Sequence, residues 1–229
     1  SSILRKVNTC TYTESGEEVE YREILLLAFR FFQIFTVMTI VLYSDIILHG
    51  FFTTNAIERG SYAASSNIGK VTYFIIFAVV SASFPLLSNS WQIGNYQNFK
   101  KTFINSIKLI SLIISVVFIT TTVFADEIVS ILYGSNYIDG AKYLKIYPVA
   151  VCLLSLNLFL LNASGIMNLF TSQRLIGILS ILLYLFLSYL WRDYWVAVPL
   201  SLLISQIFLS IAILITFYKR FVILEGSSS

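Results

Sequence analysis

Charge is what this sequence has least of. Asp, Glu, Lys and Arg make up only 12% of its 229 residues, where a soluble globular domain carries roughly 25%. Hydrophobic residues account for 57% and the mean hydropathy is +0.82. That balance excludes a water-soluble domain and points to an integral membrane protein. Cysteine and histidine are also scarce, with two and one. Without Cys/His clusters or Arg/Lys-rich stretches, neither a metal site nor a nucleic-acid partner is expected. Cys10 lies in a polar leader and Cys152 in an apolar run, on different membrane levels, so no disulfide between them is expected. No Ser/His/Asp or Cys/His set and no phosphate-cradling glycine loop is visible, so neither enzyme activity nor a cofactor is expected, and His49 reads as an interfacial residue. The chain opens Ser-Ser, without an initiator Met or a basic-apolar-small signal pattern, from which a piece of a longer protein, or a trimmed form of it, is expected.

What is present is a series of helix-length apolar runs, not the roughly 10-residue alternating segments of an outer-membrane barrel. A bilayer crossing takes about 20 mostly apolar residues. On that measure the chain reads as an all-α six-helix membrane bundle, with spans over about 25–48, 68–87, 103–124, 147–168, 175–190 and 196–217. A polar leader (1–23) precedes the membrane domain (24–219), and a short tail (220–229) follows it. Residues 50–67 and 88–102 read as loops. Ala125 to Gly134 reads as a short helix on the membrane surface, stopped by Gly134 and continued along that surface from Tyr137 to Lys145. Most of the basic residues fall on one side: Arg5, Lys6, Arg22, Arg30, Lys100, Lys101, Lys108, Arg174, Lys219 and Arg220. Arg59, Lys70, Lys142, Lys145 and Arg192 fall on the other. The positive-inside rule then places both termini in the cytoplasm of a multi-pass protein of the cell membrane.

Gly60 to Ser88 is the stretch around which the rest is organised. It carries Lys70 inside an apolar run, Pro85 near its end, and small residues between. On a helix, Ser66, Lys70, Tyr73, Phe77, Ser81 and Phe84 share one face. An ionisable residue in a span is costly and usually faces protein or a wet cavity, so this face reads as part of a substrate pathway. The alternative for Lys70 is snorkelling to nearby headgroups, with the serines packed against neighbouring helices. Further pathway candidates are Arg30, Gln33 and Asp45 in the first span, Asn157 and Asn162 in the fourth, and Gln206 in the sixth. Lys108, Ser111, Ser115 and Thr122 share a face of the third. The lipid-exposed stretches are expected at Ile181–Leu187 and Ile211–Ile215.

The order of local patterns is also distinctive. Asp45 ends a span, Gly60-Ser61-Tyr62-Ala63-Ala64 opens the next, and Phe84-Pro85-Leu86-Leu87-Ser88 closes it. Ala125-Asp126-Glu127-Ile128 through Gly134 to Tyr137 follows the third span, and Asn162 to Gly165 ends the fourth. Over roughly residues 25–218 the chain resembles the polysaccharide-biosynthesis or oligosaccharide-flippase family of the multidrug/oligosaccharidyl-lipid/polysaccharide exporter superfamily. The resemblance implies a two-repeat transporter whose C-terminal six-helix half is seen here, with a lipid-linked glycan as substrate. It also implies that the missing N-terminal half, or a second copy, acts as partner. Lipid II flippases of that superfamily have an Arg soon after the Tyr-Ala pattern. Here those places hold Ser65 and Ser66, which points to another polyprenyl-linked oligosaccharide. The alternatives are a cation-coupled multidrug exporter of the same superfamily and a non-transporting membrane scaffold.

Overall fold

The structure is a computed structural model that describes residues 21–167 and 169–226. The expectations for residues 1–20, Cys10 among them, and for 227–229 lie outside the described residues. Strands are absent among the described residues, and six of the helices are long and apolar enough to cross a membrane. They are α1 (Tyr21–Phe52), α2 (Ala56–Gln92), α3 (Tyr96–Val123), α6 (Tyr147–Ile166), α7 (Phe170–Leu190) and α8 (Ala197–Gly226). Between α3 and α6 lie α4 (Ala125–Tyr133), a 3₁₀ helix (Ser135–Gly140) and the one-turn α5 (Ala141–Leu144). The architecture is an all-α membrane bundle.

The span that is apolar on every side takes the centre. Of α6, 78% of the apolar window is buried, against 17% for α3 and 22% for α1 and α7. A helix hydrophobic all round must be surrounded, and α6 packs against α2, α8, α3 and α1. Its neighbours turn single stripes inward. Along α7, Tyr184 is buried while Leu182, Leu185 and Phe186 are exposed; along α8, Ile213 is buried between exposed Ile211, Leu214 and Ile215. The lipid-exposed surface therefore follows helical stripes and not whole blocks of sequence. Exposed large apolar side chains on this scale suit a hydrocarbon solvent and would be a liability in water. Lys108, Ser111, Ser115 and Thr122 lie on the exposed face of α3.

Helix α2 begins well before the sequence suggests. The stretch read as a loop over residues 50–67 contains only a three-residue break, Thr53 to Asn55. Asn55 caps the new helix by accepting from the Ile57 amide at 2.9 Å, and Glu58 sits in the first turn, where the helix dipole favours an acid. At 1.5 Å per residue, α2 is about 55 Å long, well beyond a hydrocarbon layer of about 30 Å. Its first turns are held by the α4–α5 segment. Ala125, Val129, Ala141 and Leu144 form a small core there with Ile68 and Ile128. Gly134, which ends α4, has φ +88°, a region that disfavours any side chain. Gly140 allows direct contact with α2: an added Cβ would lie 2.6 Å from the Ser61 carbonyl oxygen, and the Ser65 hydroxyl donates to the Gly140 carbonyl at 2.6 Å. The second predicted loop is likewise short, because α3 starts at Tyr96, where Asn95 caps it by accepting from the Asn98 amide.

Candidate functional site

Tyr62, Ser66 and Lys70 recur every four residues along α2 and so share one face. That face meets Asp45 of α1. The Lys70 Nζ lies 3.1 Å from Asp45 Oδ1, and both side chains are buried, 4% and 0% exposed. The Ser66 hydroxyl donates to Asp45 Oδ2 at 2.5 Å, and the Tyr62 hydroxyl reaches the same oxygen at 3.4 Å. The Lys70 ammonium also stands 4.8 Å from the centre of the Tyr43 ring, a favourable cation–π distance. Tyr147 of α6 and Tyr184 of α7 bury further hydroxyls within electrostatic reach of the carboxylate. Four helices thus converge on one charge pair.

Because α2 starts at Ala56, Lys70 lies roughly 21 Å along the helix axis, not near the start of a span that opens at residue 68. Its ammonium is spent on Asp45, so it does not snorkel, and the pair presents a dipole where the sequence suggested a bare cation. Close helix approach makes this possible. A Cβ at Gly69 would sit 2.5 Å from the Tyr147 ring, so only glycine lets α6 bring Tyr147 against the face that carries Lys70.

Outward of the pair, aromatic rings close the space. His49 stacks on Tyr62 at 3.9 Å between ring centroids and faces the Tyr143 ring edge-on at 5.4 Å. It is buried among these rings, 4% exposed. Tyr143, on α5 above the bundle, donates to Glu58 at 2.8 Å, and Lys142 approaches the same carboxylate at 3.7 Å. Burial, then the bond to Glu58, pushes the Tyr143 phenol above its ordinary pKa.

In the other direction the α2 face opens. Phe77 meets Phe35 and Phe84 meets Phe31, both edge to face, at 5.9 and 5.3 Å. Beside them Phe31, Phe35, Val80, Ser81, Phe84 and Asn162 line a cavity of about 350 Å³. Of the other pathway candidates, Asn157 and Gln206 hold each other. The Asn157 amide donates to the Gln206 backbone and side-chain oxygens, each at 2.9 Å, and its own oxygen accepts from Ser210 at 2.7 Å. This clamps α6 to α8. Asn162 donates to the Leu158 carbonyl one turn back in its own helix. Gln33 lies on an exposed part of α1, and Arg30 belongs to α1 with its side chain outside the described residues. The structure therefore gathers Asp45, Ser66 and Lys70 into one site, and separates it from Asn157–Gln206. Sequence reasoning missed Tyr62, Tyr147 and Tyr184 as members; their helical positions look like ordinary interfacial or core aromatics, and only the tertiary crossing brings the Tyr62 hydroxyl to Asp45 and the other two rings near it.

A family described as polysaccharide biosynthesis protein matches residues 15–142. The matched stretch is more than half of the chain and includes Asp45, Ser66 and Lys70. The chain belongs to that family. No curated protein and no solved structure matches it. With its six apolar helices, it is a multi-pass membrane protein of polysaccharide biosynthesis.

Proposed function

We propose that this chain is the substrate-moving half of a flippase, which carries a polyprenyl-linked oligosaccharide across the cell membrane by alternating access and performs no covalent chemistry itself. The Asp45–Lys70 pair carries this reading. A buried ion pair adds little net stability over packed apolar side chains, and intramembrane charges mark function by default. Buried between α1 and α2, the pair acts as a charge latch: the two helices part only if water or an anionic group replaces one partner. A diphosphate-linked glycan supplies such an anion for Lys70, and the cavity between Phe31, Phe84 and Asn162 continues the same helix face. Rocking of this half against a second one, either the missing N-terminal half or another copy, would expose the face to each side in turn. Both termini are cytoplasmic in this arrangement.

The multidrug-exporter alternative needs an acid free to take a cation; here Asp45 is already matched by Lys70, which favours the glycolipid reading. A scaffold has no need of the latch. The test is a reconstituted flipping assay with the full-length protein and a labelled isoprenoid-diphosphate oligosaccharide. The reading expects movement by the parent and loss with Lys70→Gln and with Arg30→Gln; a full-length protein that moves no such lipid, or both variants moving it at the parent rate, contradicts it.

A further inference from the structure

A second site lies across the bundle, where α1 and α7 stand apart. Their facing surfaces leave a slot of about 130 Å³, walled by Ile34, Val37, Met38, Leu161, Ile178 and Ile181. An apolar space of this size holds a benzene-sized group, about one isoprene unit. Gly177 forms part of its wall, and a Cβ there would meet nothing within 4 Å. One end of the slot is polar, with Gln33 from α1 and Gln173 and Arg174 from the first turns of α7. Gln173 is only 4% exposed, yet neither its amide nitrogen nor its amide oxygen has a hydrogen-bond partner among the described residues. A buried primary amide left without partners is rare and costs stability for each unpaired atom. Beside it stands an exposed guanidinium, the group best shaped to clasp a phosphate, at a helix start, where the dipole also favours an anion.

We propose that this slot binds the phosphate end of an isoprenoid lipid: Arg174 and Gln173 at the phosphate, Gln33 beside them, and the first isoprene unit against Gly177. Charge complementarity selects the anion, and the free space beside Gly177, within a slot of about one isoprene unit's volume, takes the first prenyl group. The inference rests on the flippase reading for the identity of the lipid, while the slot itself stands on its own geometry.

The experiment measures binding, not transport. Full-length protein in phosphatidylcholine nanodiscs is titrated with farnesyl phosphate, farnesol, inorganic phosphate and phosphatidylglycerol. Farnesyl phosphate should bind at least about tenfold more tightly than the other three, an increment of the size that one good charged contact provides. Arg174→Gln should lose about that factor, and so should Gly177→Phe, which fills the slot from a position with room for it. Thermal unfolding checks that the Phe variant is folded; if it is not, Gly177→Leu takes its place. Parent-like affinity in both the Arg174 and Gly177 variants overturns the proposal, as does equal binding of phosphatidylglycerol, which would mark an ordinary boundary-lipid groove. Prenyl-phosphate binding by a protein that flips nothing would leave the slot standing and remove the flippase reading.

Discussion

Breaking the Asp45–Lys70 pair one partner at a time, and then removing both, separates an integrated charge pair from two incidental neighbours. At 3.1 Å, with an effective dielectric of about 20, the attraction is about 5 kcal/mol. Removing one partner strands the other charge, and for buried pairs this costs about 3–5 kcal/mol. Asp45→Asn keeps the side-chain volume and an acceptor for Ser66 but leaves the ammonium alone. Lys70→Met keeps the stem and leaves the carboxylate alone. For a chain of this size about 1 kcal/mol shifts the melting temperature by roughly 2–4 °C, so each single variant should melt about 6–20 °C below the parent. The double variant strands nothing and should recover most of the loss, since an apolar replacement of a buried pair is often neutral. Thermal unfolding of the 229-residue chain in one detergent reads all four corners of the cycle. Single variants within about 2 °C of the parent, or a double variant as unstable as the sum of the singles, would refute the reasoning.

Three further outcomes follow from packing and hydrogen bonding. Asn157→Leu should lower stability by about 1–3 kcal/mol, because Gln206 and Ser210 on α8 lose their buried partner; unfolding checks it, with Ser180→Ala, which removes a single bond to the Ser205 carbonyl at 3.0 Å, as a milder control. Gly140→Ala should loosen the α4–α5 segment from α2, since the new Cβ meets the Ser61 carbonyl at 2.6 Å, and hydrogen exchange over residues 125–145 should rise while α6 stays protected. The Tyr143 phenol has a folded-state pKa above its unfolded value, so its contribution is complete below about pH 10 and is lost as pH rises further. Comparing phenolate absorbance between the parent and Tyr143→Phe should show no Tyr143 titration near pH 10.

The sequence patterns carried the fold class because hydropathy acts locally: a run of apolar residues becomes a spanning helix whatever its neighbours do. The short helix from Ala125 and its stop at Gly134 were legible too, because an acid pair at a helix start and a glycine at its end are local signals. The start of α2 was not. Its first turns are rich in glycine and serine, residues that weaken a helix in isolation; they are helical because α4 and α5 pack on them, and that packing joins residues about 75 positions apart. The same limit applies to the site. Asp45, Ser66 and Lys70 could each be singled out as polar groups in apolar runs, but their pairing depends on the α1–α2 crossing. Asn157 and Gln206 show the converse, since the chemistry that made them pathway candidates is satisfied by their hold on each other.

Glycan export by the Asp45→Asn/Lys70→Met double variant tests the central claim most directly. In cells whose surface polysaccharide depends on the full-length protein, the double variant should reach parent-like abundance and stability and yet leave the glycan unexported, because the fold survives without the charge latch and transport does not. Parent-level surface glycan from that variant would contradict the account and reduce Asp45 and Lys70 to a structural pair.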